Sequence, residues 1–276
     1  MVTARRVSLR LQHNAILALL LAIAAAGWTA LVWQQSDHVS SMEMPMASAN
    51  ASREASLFLG NWVVMMVAMM FPAAAPMALT FHGLRAVTRP LENAFVSTWV
   101  FVSAYLLVWT IAGLAAYAAL LTARYAFTRV TLSTTVTSQL GGASIVVAGI
   151  YQLTPLKEFC LSKCREPIRF IASRDEAATA FGMGLLHGLY CVGCCWLLFV
   201  ILFPFGMGVI SMIAVTLIIL AERRTLSWSQ PISHVAGLAL VLSGVLVIVT
   251  HQLLPMPKPS GMTMPAEMQM PASDIR

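Results

Sequence analysis

Residues 179–203 read TAFGMGLLHGLYCVGCCWLLFVILF and contain no charged side chain. A membrane-spanning helix needs about 20 predominantly apolar residues. This stretch therefore predicts a transmembrane helix, and it sets the class of the whole chain. It contains one histidine and three cysteines, His187, Cys191, Cys194 and Cys195. At the helical spacing of about 100° per residue they share one face, and Trp196 points away from it.

The composition extends this reading to the rest of the molecule. Of 276 residues, 59% are hydrophobic and 10% are charged, and the mean hydropathy is +0.79. An ordinary soluble domain has about 25% charged residues. We therefore expect an all-α, polytopic bundle of transmembrane helices with the lipid bilayer as its environment. The net charge of +6 is explained below by sidedness and indicates no nucleic-acid partner.

Six further apolar segments are long enough to consider as spans. They are residues 14–33, 58–81, 94–121, 140–156, 206–221 and 232–253. The segments 140–156 and 206–221 are short, and the first of these two could continue past Pro155. Segment 14–33 resembles a signal peptide, but it exceeds the usual apolar region of about 7–15 residues. We interpret it as a retained first helix, which gives about seven spans.

The basic residues orient the bundle. With the N-terminus in the cytoplasm and strict alternation, most of the 17 basic residues fall on the cytoplasmic side. This matches the positive-inside rule and predicts a C-terminus outside, in the inner membrane of a bacterium. We divide the chain into a first helix with its outer loop (1–57), a membrane core (58–225), and a last helix with a disordered tail (226–276).

Methionine is concentrated in two segments on the predicted outer side, residues 38–46 and 256–271. The methionines are Met42, Met44, Met46, Met256, Met262, Met264, Met268 and Met270. Thioether sulfur is a soft ligand that survives in an oxidising compartment. These segments indicate capture of a soft metal, and the alternative is a low-complexity tail that happens to contain methionine.

The second apolar segment carries two adjacent rows of methionine. Met65 pairs with Met69, and Met66 pairs with Met70, each at i, i+4, ahead of Pro72 and Pro76. Methionine is also a common gap-filler in helix interfaces. The rows are therefore candidate metal ligands with ordinary packing as the stronger alternative, and the prolines suggest a functional helix.

The cysteine face of residues 187–195 is the strongest candidate site. Soft thiolate and imidazole ligands suit Cu(I). Two alternatives remain: cysteine as a small packing residue beside Gly184 and Gly188, and a redox disulfide between Cys191 and Cys194. Because one helix face cannot surround an ion, we expect it to face the Met65/Met69 helix.

A second cysteine pair, Cys160 and Cys164, stands at i, i+4 in the basic stretch TPLKEFCLSKCREPIRF (154–170). We expect the surrounding bases, Lys157 and Lys163 among them, to lower the thiol pKa values. The pair predicts an inner metal-exchange site, and the alternative is a topogenic loop with incidental cysteine.

Together these motifs resemble the bacterial membrane family called domain of unknown function 2182, described as predicted metal-binding integral membrane proteins. The resemblance covers about residues 58–225. It rests on three motifs in order: Trp62 with the methionine rows and Pro72/Pro76; Thr154-Pro155-Leu156-Lys157 with Cys160, Cys164-Arg165 and Pro167; and His187-Gly188 with Cys191-x-Gly193-Cys194-Cys195-Trp196. The chain departs from that family at Phe199 and Ile210-Ser211, where further methionine and a Met-Asn pair are typical. The resemblance implies metal binding without a mechanism.

The sequence thus predicts a membrane protein that binds Cu(I) and handles or delivers copper, with a copper protein or oxidase as its partner. The alternatives are a copper transporter, a membrane thiol oxidoreductase or an assembly factor. A near absence of charge within the spans favours delivery over transport, and Glu222 beside Arg223 is expected to be solvated. No nucleophile triad, phosphate loop or close carboxylate pair indicates an enzyme.

Overall fold

The computed structural model describes residues 2–40, 51–88, 90–129, 134–172, 179–202, 208–223 and 229–253. Within these ranges every regular element is an α-helix: α1 (Val2–Ser40), α2 (Ala51–Thr88), α3 (Leu91–Arg129), α4 (Thr134–Gln152), α5 (Pro155–Arg165), α6 (Pro167–Ala172), α7 (Ala180–Leu202), α8 (Val209–Arg223) and α9 (Ser229–Leu253). The all-α prediction is confirmed for this part of the chain. The methionines of the two outer segments lie outside the described residues.

The seven predicted apolar segments correspond to α1, α2, α3, α4, α7, α8 and α9. The expected continuation of the fourth segment past Pro155 is wrong. Helix α4 ends at Gln152, and α5 starts afresh at Pro155 with Thr154 as its N-cap. The Thr154 hydroxyl accepts from the Lys157 amide at 3.4 Å, and proline is favoured in the first helical turn, so these residues begin a helix rather than extend one.

Five helices are long and apolar enough to cross a membrane: α1, α2, α3, α7 and α9. This supports a polytopic membrane protein. Helix α8 has 15 residues and α4 has 19, and neither is among the five. The count of seven spans and the orientation of the termini therefore stay predictions.

Helices α4 and α9 approach each other closely through glycines. A Cβ on Gly244 would lie 2.8 Å from the Gly142 carbonyl oxygen, and one on Gly237 would lie 3.0 Å from the Gly149 carbonyl oxygen. Because Gly142 meets Gly244 and Gly149 meets Gly237, the two helices run antiparallel. Small residues at this spacing let helix backbones pack without intervening side chains, as is common in membranes.

A buried polar cluster joins the ends of α4, α5, α8 and α9. The Lys157 ammonium lies 2.7 Å from each carboxylate oxygen of Glu222. Gln152 and Ser233 also donate to that carboxylate, at 3.2 and 3.0 Å. Lys157 and Glu222 are 1% and 2% exposed, so the expectation that Glu222 is solvated is wrong.

The other end of α8 is attached as well. The Val209 amide donates to the Gln35 side-chain oxygen of α1 at 2.9 Å. Helix α8 is therefore tied to α1 where it begins and to the buried polar cluster where it ends.

Candidate metal centre

Glycines on α7 set its cysteine face against α3. A Cβ on Gly184 would lie 2.8 Å from the Ala104 Cβ, and one on Gly188 would lie 2.8 Å from the Val108 Cβ. The helices approach closely there, which confirms the packing role expected for Gly184 and Gly188. The same contact brings Tyr105 of α3 beside the first cysteine.

His187 is enclosed by aromatic rings. Its ring stacks on Tyr105 at 5.3 Å and on Phe101 at 5.8 Å between centroids, and Phe170 meets it edge-on at 6.1 Å. The side chain is 1% exposed, and neither ring nitrogen has a hydrogen-bond partner among the described residues. Buried polar atoms normally have a hydrogen-bond partner, so the unpaired ring leaves His187 free to accept a ligand or a hydrogen bond.

The three cysteines of α7 lie on one buried face, as the spacing predicts. The Cys194 and Cys195 thiols both donate to the Cys191 carbonyl, at 3.1 and 2.8 Å. The Cys191 sulfur lies 3.1 Å from the Tyr105 hydroxyl. Trp196 points to the outside of the bundle, 45% exposed. All five cysteines of the chain are free thiols.

The second cysteine pair lies against the first group of thiols. Helix α5 packs on α7, and a Cβ on Gly193 would lie 2.9 Å from the Cys160 sulfur. Cys164, like Cys160, packs against the buried cluster that contains Cys191, Cys194 and Cys195. The sequence placed Cys160 and Cys164 in a separate inner site, whereas the fold brings them to the middle of α7.

The expected effect of the bases on these thiols is wrong. Burial, reinforced by the nearby Cys194 sulfur, raises the pKa of the Cys160 thiol. The hydrogen bond to Cys194 and burial raise the pKa of the Cys164 thiol. The bases are engaged elsewhere: Lys157 pairs with Glu222, and Lys163 lies over the Phe159 ring at 5.5 Å.

The methionine rows of α2 share a core with the cysteines of α7. Met65, Met66, Met69 and Met70 are at most 1% exposed, and they belong to the same cluster of buried residues as Cys191, Cys194 and Cys195. Four thioethers and three thiols therefore line one interior. Trp62 joins the helices around it, since its indole N–H donates to the Trp109 carbonyl at 2.9 Å and its ring lies 6.3 Å from Phe199.

Sequence reasoning missed Arg223, the last residue of α8. Its guanidinium Nη2 donates to the Cys191 sulfur at 2.6 Å and reaches the Cys194 sulfur at 3.8 Å. Its Nη1 donates to the Ala73 carbonyl of α2 at 3.2 Å. The signal in the sequence was the short apolar run before Arg223. Because α8 has only 15 residues, the charged residues at its end lie beside Cys191, the middle residue of α7.

No three His, Cys, Asp or Glu side chains in the described ranges already stand in metal-holding geometry. Methionine sulfurs and pairs of thiols are further possible ligands. The arrangement offers instead a run of soft donors: the thiols of Cys164, Cys191, Cys194 and Cys195 and the four thioethers of α2. Such donors suit Cu(I).

Residues 59–247 match a family model, PpoB2, described as a copper chaperone. No curated protein and no solved structure matches the chain. The match bears out the copper-related character expected from the three motifs, under a different family name from domain of unknown function 2182. It spans more than half of the 276 residues and includes the candidate ligands of α2, α5 and α7. The chain therefore belongs to the PpoB2 family of copper chaperones.

Proposed function

We propose that this protein is a multi-pass protein of the bacterial inner membrane that binds Cu(I) through buried sulfur ligands and delivers copper to a partner copper protein or oxidase. The observation that carries the proposal is that the thiols of α7 and the thioethers of α2 belong to one cluster of buried residues, with Cys160 and Cys164 of α5 packed against it. Soft thiolate and thioether ligands suit Cu(I). The protein has no enzymatic role in this proposal.

The ligands divide by strength. Cys191 and Cys194 are the tight pair in this proposal, because both sulfurs lie within reach of one guanidinium and Cys164 packs against the same buried cluster. Met65 and Met69, with the adjacent row, supply weaker thioethers in the same cluster. Copper would pass between the two sets by ligand exchange, with the outer methionine segments as the entry point and His187 as an additional ligand.

The test is copper analysis of protein purified anaerobically in detergent. Wild type is expected to retain copper, and the triple variant Cys191→Ser/Cys194→Ser/Cys195→Ser is expected to lose most of it. Leu189→Ala is the matched control, because Leu189 lies on the same helix, 60% exposed to the outside of the bundle. Absence of copper from both wild type and variant, or equal copper in both, contradicts the proposal.

Transport of copper is the second candidate, and one observation favours it. The sequence predicts little charge within the spans, which disfavours transport, but Lys157 and Glu222 form a buried ion pair. Arg223, the residue after Glu222, contacts Cys191 in the middle of α7. Ionisable groups at membrane depth often mark ion pathways. Uptake of labelled copper into proteoliposomes separates the two functions: a delivery protein gives none without a partner, and a transporter gives uptake that Glu222→Gln reduces.

A thiol oxidoreductase is disfavoured by the setting of its cysteines. Cys191, Cys194 and Cys195 are at most 2% exposed. Catalytic thiols need access to their substrate and sit in partly exposed positions. Thiol trapping under oxidising and reducing conditions is expected to find the Cys191 and Cys194 thiols reduced in both.

A further inference from the structure

The positively charged guanidinium of Arg223 contacts two cysteine sulfurs. Its guanidinium is held by three acceptors, namely the Cys191 sulfur at 2.6 Å, the Cys194 sulfur at 3.8 Å and the Ala73 carbonyl at 3.2 Å. These contacts fix it between α2 and α7. Arginine remains charged at any pH that a protein meets. A permanent cation therefore stands beside the two thiols that form the proposed tight pair.

No carboxylate in the described part of the chain pairs with this guanidinium. Glu222, Glu158 and Glu166 pair instead with Lys157, Arg165 and Arg169, respectively. The neighbouring residue Glu222 directs both oxygens to Lys157. A charge at membrane depth is costly and is usually retained for a function. The partner available to Arg223 is the sulfur pair.

We propose that Arg223 is the counter-charge of the copper–thiolate centre and makes that centre selective for a monovalent ion. This rests on the proposed function. Two thiolates and one Cu(I) carry a net charge of −1, and the guanidinium brings the total to zero. A divalent ion in the same place leaves one positive charge in excess. In a medium of low dielectric constant an uncompensated charge is expensive, so the arrangement favours the monovalent ion.

A purely structural role predicts something different. Arg223 also ties α8 to the Ala73 carbonyl of α2. If this hydrogen bond were the only role of Arg223, its loss would loosen the site and weaken the binding of every metal ion equally. The counter-charge role predicts opposite changes for monovalent and divalent ions, because removing the positive charge leaves the first centre at −1 and brings the second to zero.

The experiment uses two soft probe ions on the full-length protein in detergent: Ag(I), a monovalent ion with no redox chemistry under the assay conditions, and Cd(II), a divalent ion with the same preference for sulfur. Affinities are measured by competition with a chelator for wild type, Arg223→Gln, Arg223→Lys and the control Arg169→Gln. Arg169 is an exposed residue of α6 whose ion pair lies at the surface.

In Arg223→Gln we expect Ag(I) binding to weaken by roughly tenfold and Cd(II) binding to strengthen, since charge-assisted hydrogen bonds are worth about that factor. Arg223→Lys keeps the charge and is expected to preserve the Ag(I)/Cd(II) ratio within a few fold. Arg169→Gln is expected to leave both affinities unchanged.

Equal weakening of both ions in Arg223→Gln, or no change in either, overturns the inference. If Arg223→Gln does not fold, Arg223→Lys provides the test. A fall of tenfold or more in the ratio of its Ag(I) affinity to its Cd(II) affinity overturns the inference. A wild-type protein that binds neither Ag(I) nor Cu(I) rejects the proposed function itself, and the counter-charge role with it. Wild-type binding with an unmoved ratio rejects the counter-charge role alone.

Discussion

The buried pair Lys157–Glu222 gives the sharpest prediction for stability. Replacing Glu222 with Ala removes both contacts to the Lys157 ammonium and the acceptor used by Gln152 and Ser233. Lys157 is 1% exposed, so its charge would be left in the interior without an anion. Breaking one side of a buried ion pair typically costs about 3–5 kcal/mol. We expect a loss of that size in the free energy of unfolding.

The assay is equilibrium unfolding in mixed micelles, with helix content followed by circular dichroism. Glu166→Ala is the matched control, because its pair with Arg169 is exposed on both sides and such pairs contribute less than about 1 kcal/mol. The double variant Lys157→Met/Glu222→Leu removes both charges and is expected to recover most of the loss. A Glu222→Ala variant no less stable than Glu166→Ala would show that Glu222 is solvated after all.

Three further predictions concern packing and thiol chemistry. Gly149→Ala places a Cβ 2.7 Å from the Val241 amide nitrogen and is expected to lower the free energy of unfolding by about 1–3 kcal/mol. Gly60 has open space around it, so Gly60→Ala is expected to raise that free energy by up to about 1 kcal/mol. The same unfolding assay measures both. Trp62→Phe loses a 2.9 Å hydrogen bond to a backbone carbonyl of α3 and is expected to cost about 0.5–1.5 kcal/mol in that assay. The raised pKa of Cys160 means less thiolate at any given pH, so its alkylation rate, measured with the other cysteines replaced by Ser, is expected to keep rising above the pH at which an ordinary thiol levels off.

The helices were predictable from the sequence because hydrophobic length is a local property. Each predicted apolar segment corresponds to a helix, although segment 140–156 is broken after Gln152. The i, i+4 spacing placed Cys191 and Cys195 on a face that is buried. The methionine rows of α2 and the cysteines of α7 belong to one cluster of buried residues, because both lie on buried faces near the middle of their helices. The cysteine face itself packs on α3, so the expected contact between that face and the Met65/Met69 rows stays a prediction. Periodicity carries that much information.

The burial of Lys157, Glu222 and Arg223 was not predicted, because it depends on where the short helix α8 ends relative to α7. Lys157, Glu222 and Arg223 sit next to basic stretches, which usually indicate a solvated cytoplasmic loop. Helix α8 ends beside the middle of α7, so the last two residues of α8 are drawn into the bundle. Only the packing of α5 and α8 on α7 reveals this, because the partners are separated by 32 to 65 positions in sequence.

Helix α8 acts as a rod fixed at both ends. Its 15 residues span about 22 Å at 1.5 Å per residue, from the hydrogen bond at Gln35 to the ion pair at Glu222. A helix of that length is stiff along its axis, so a displacement imposed at the Gln35 end reappears at Arg223 beside the Cys191 sulfur. One short helix thereby joins the Gln35 contact near the end of α1 to the thiols beside Arg223.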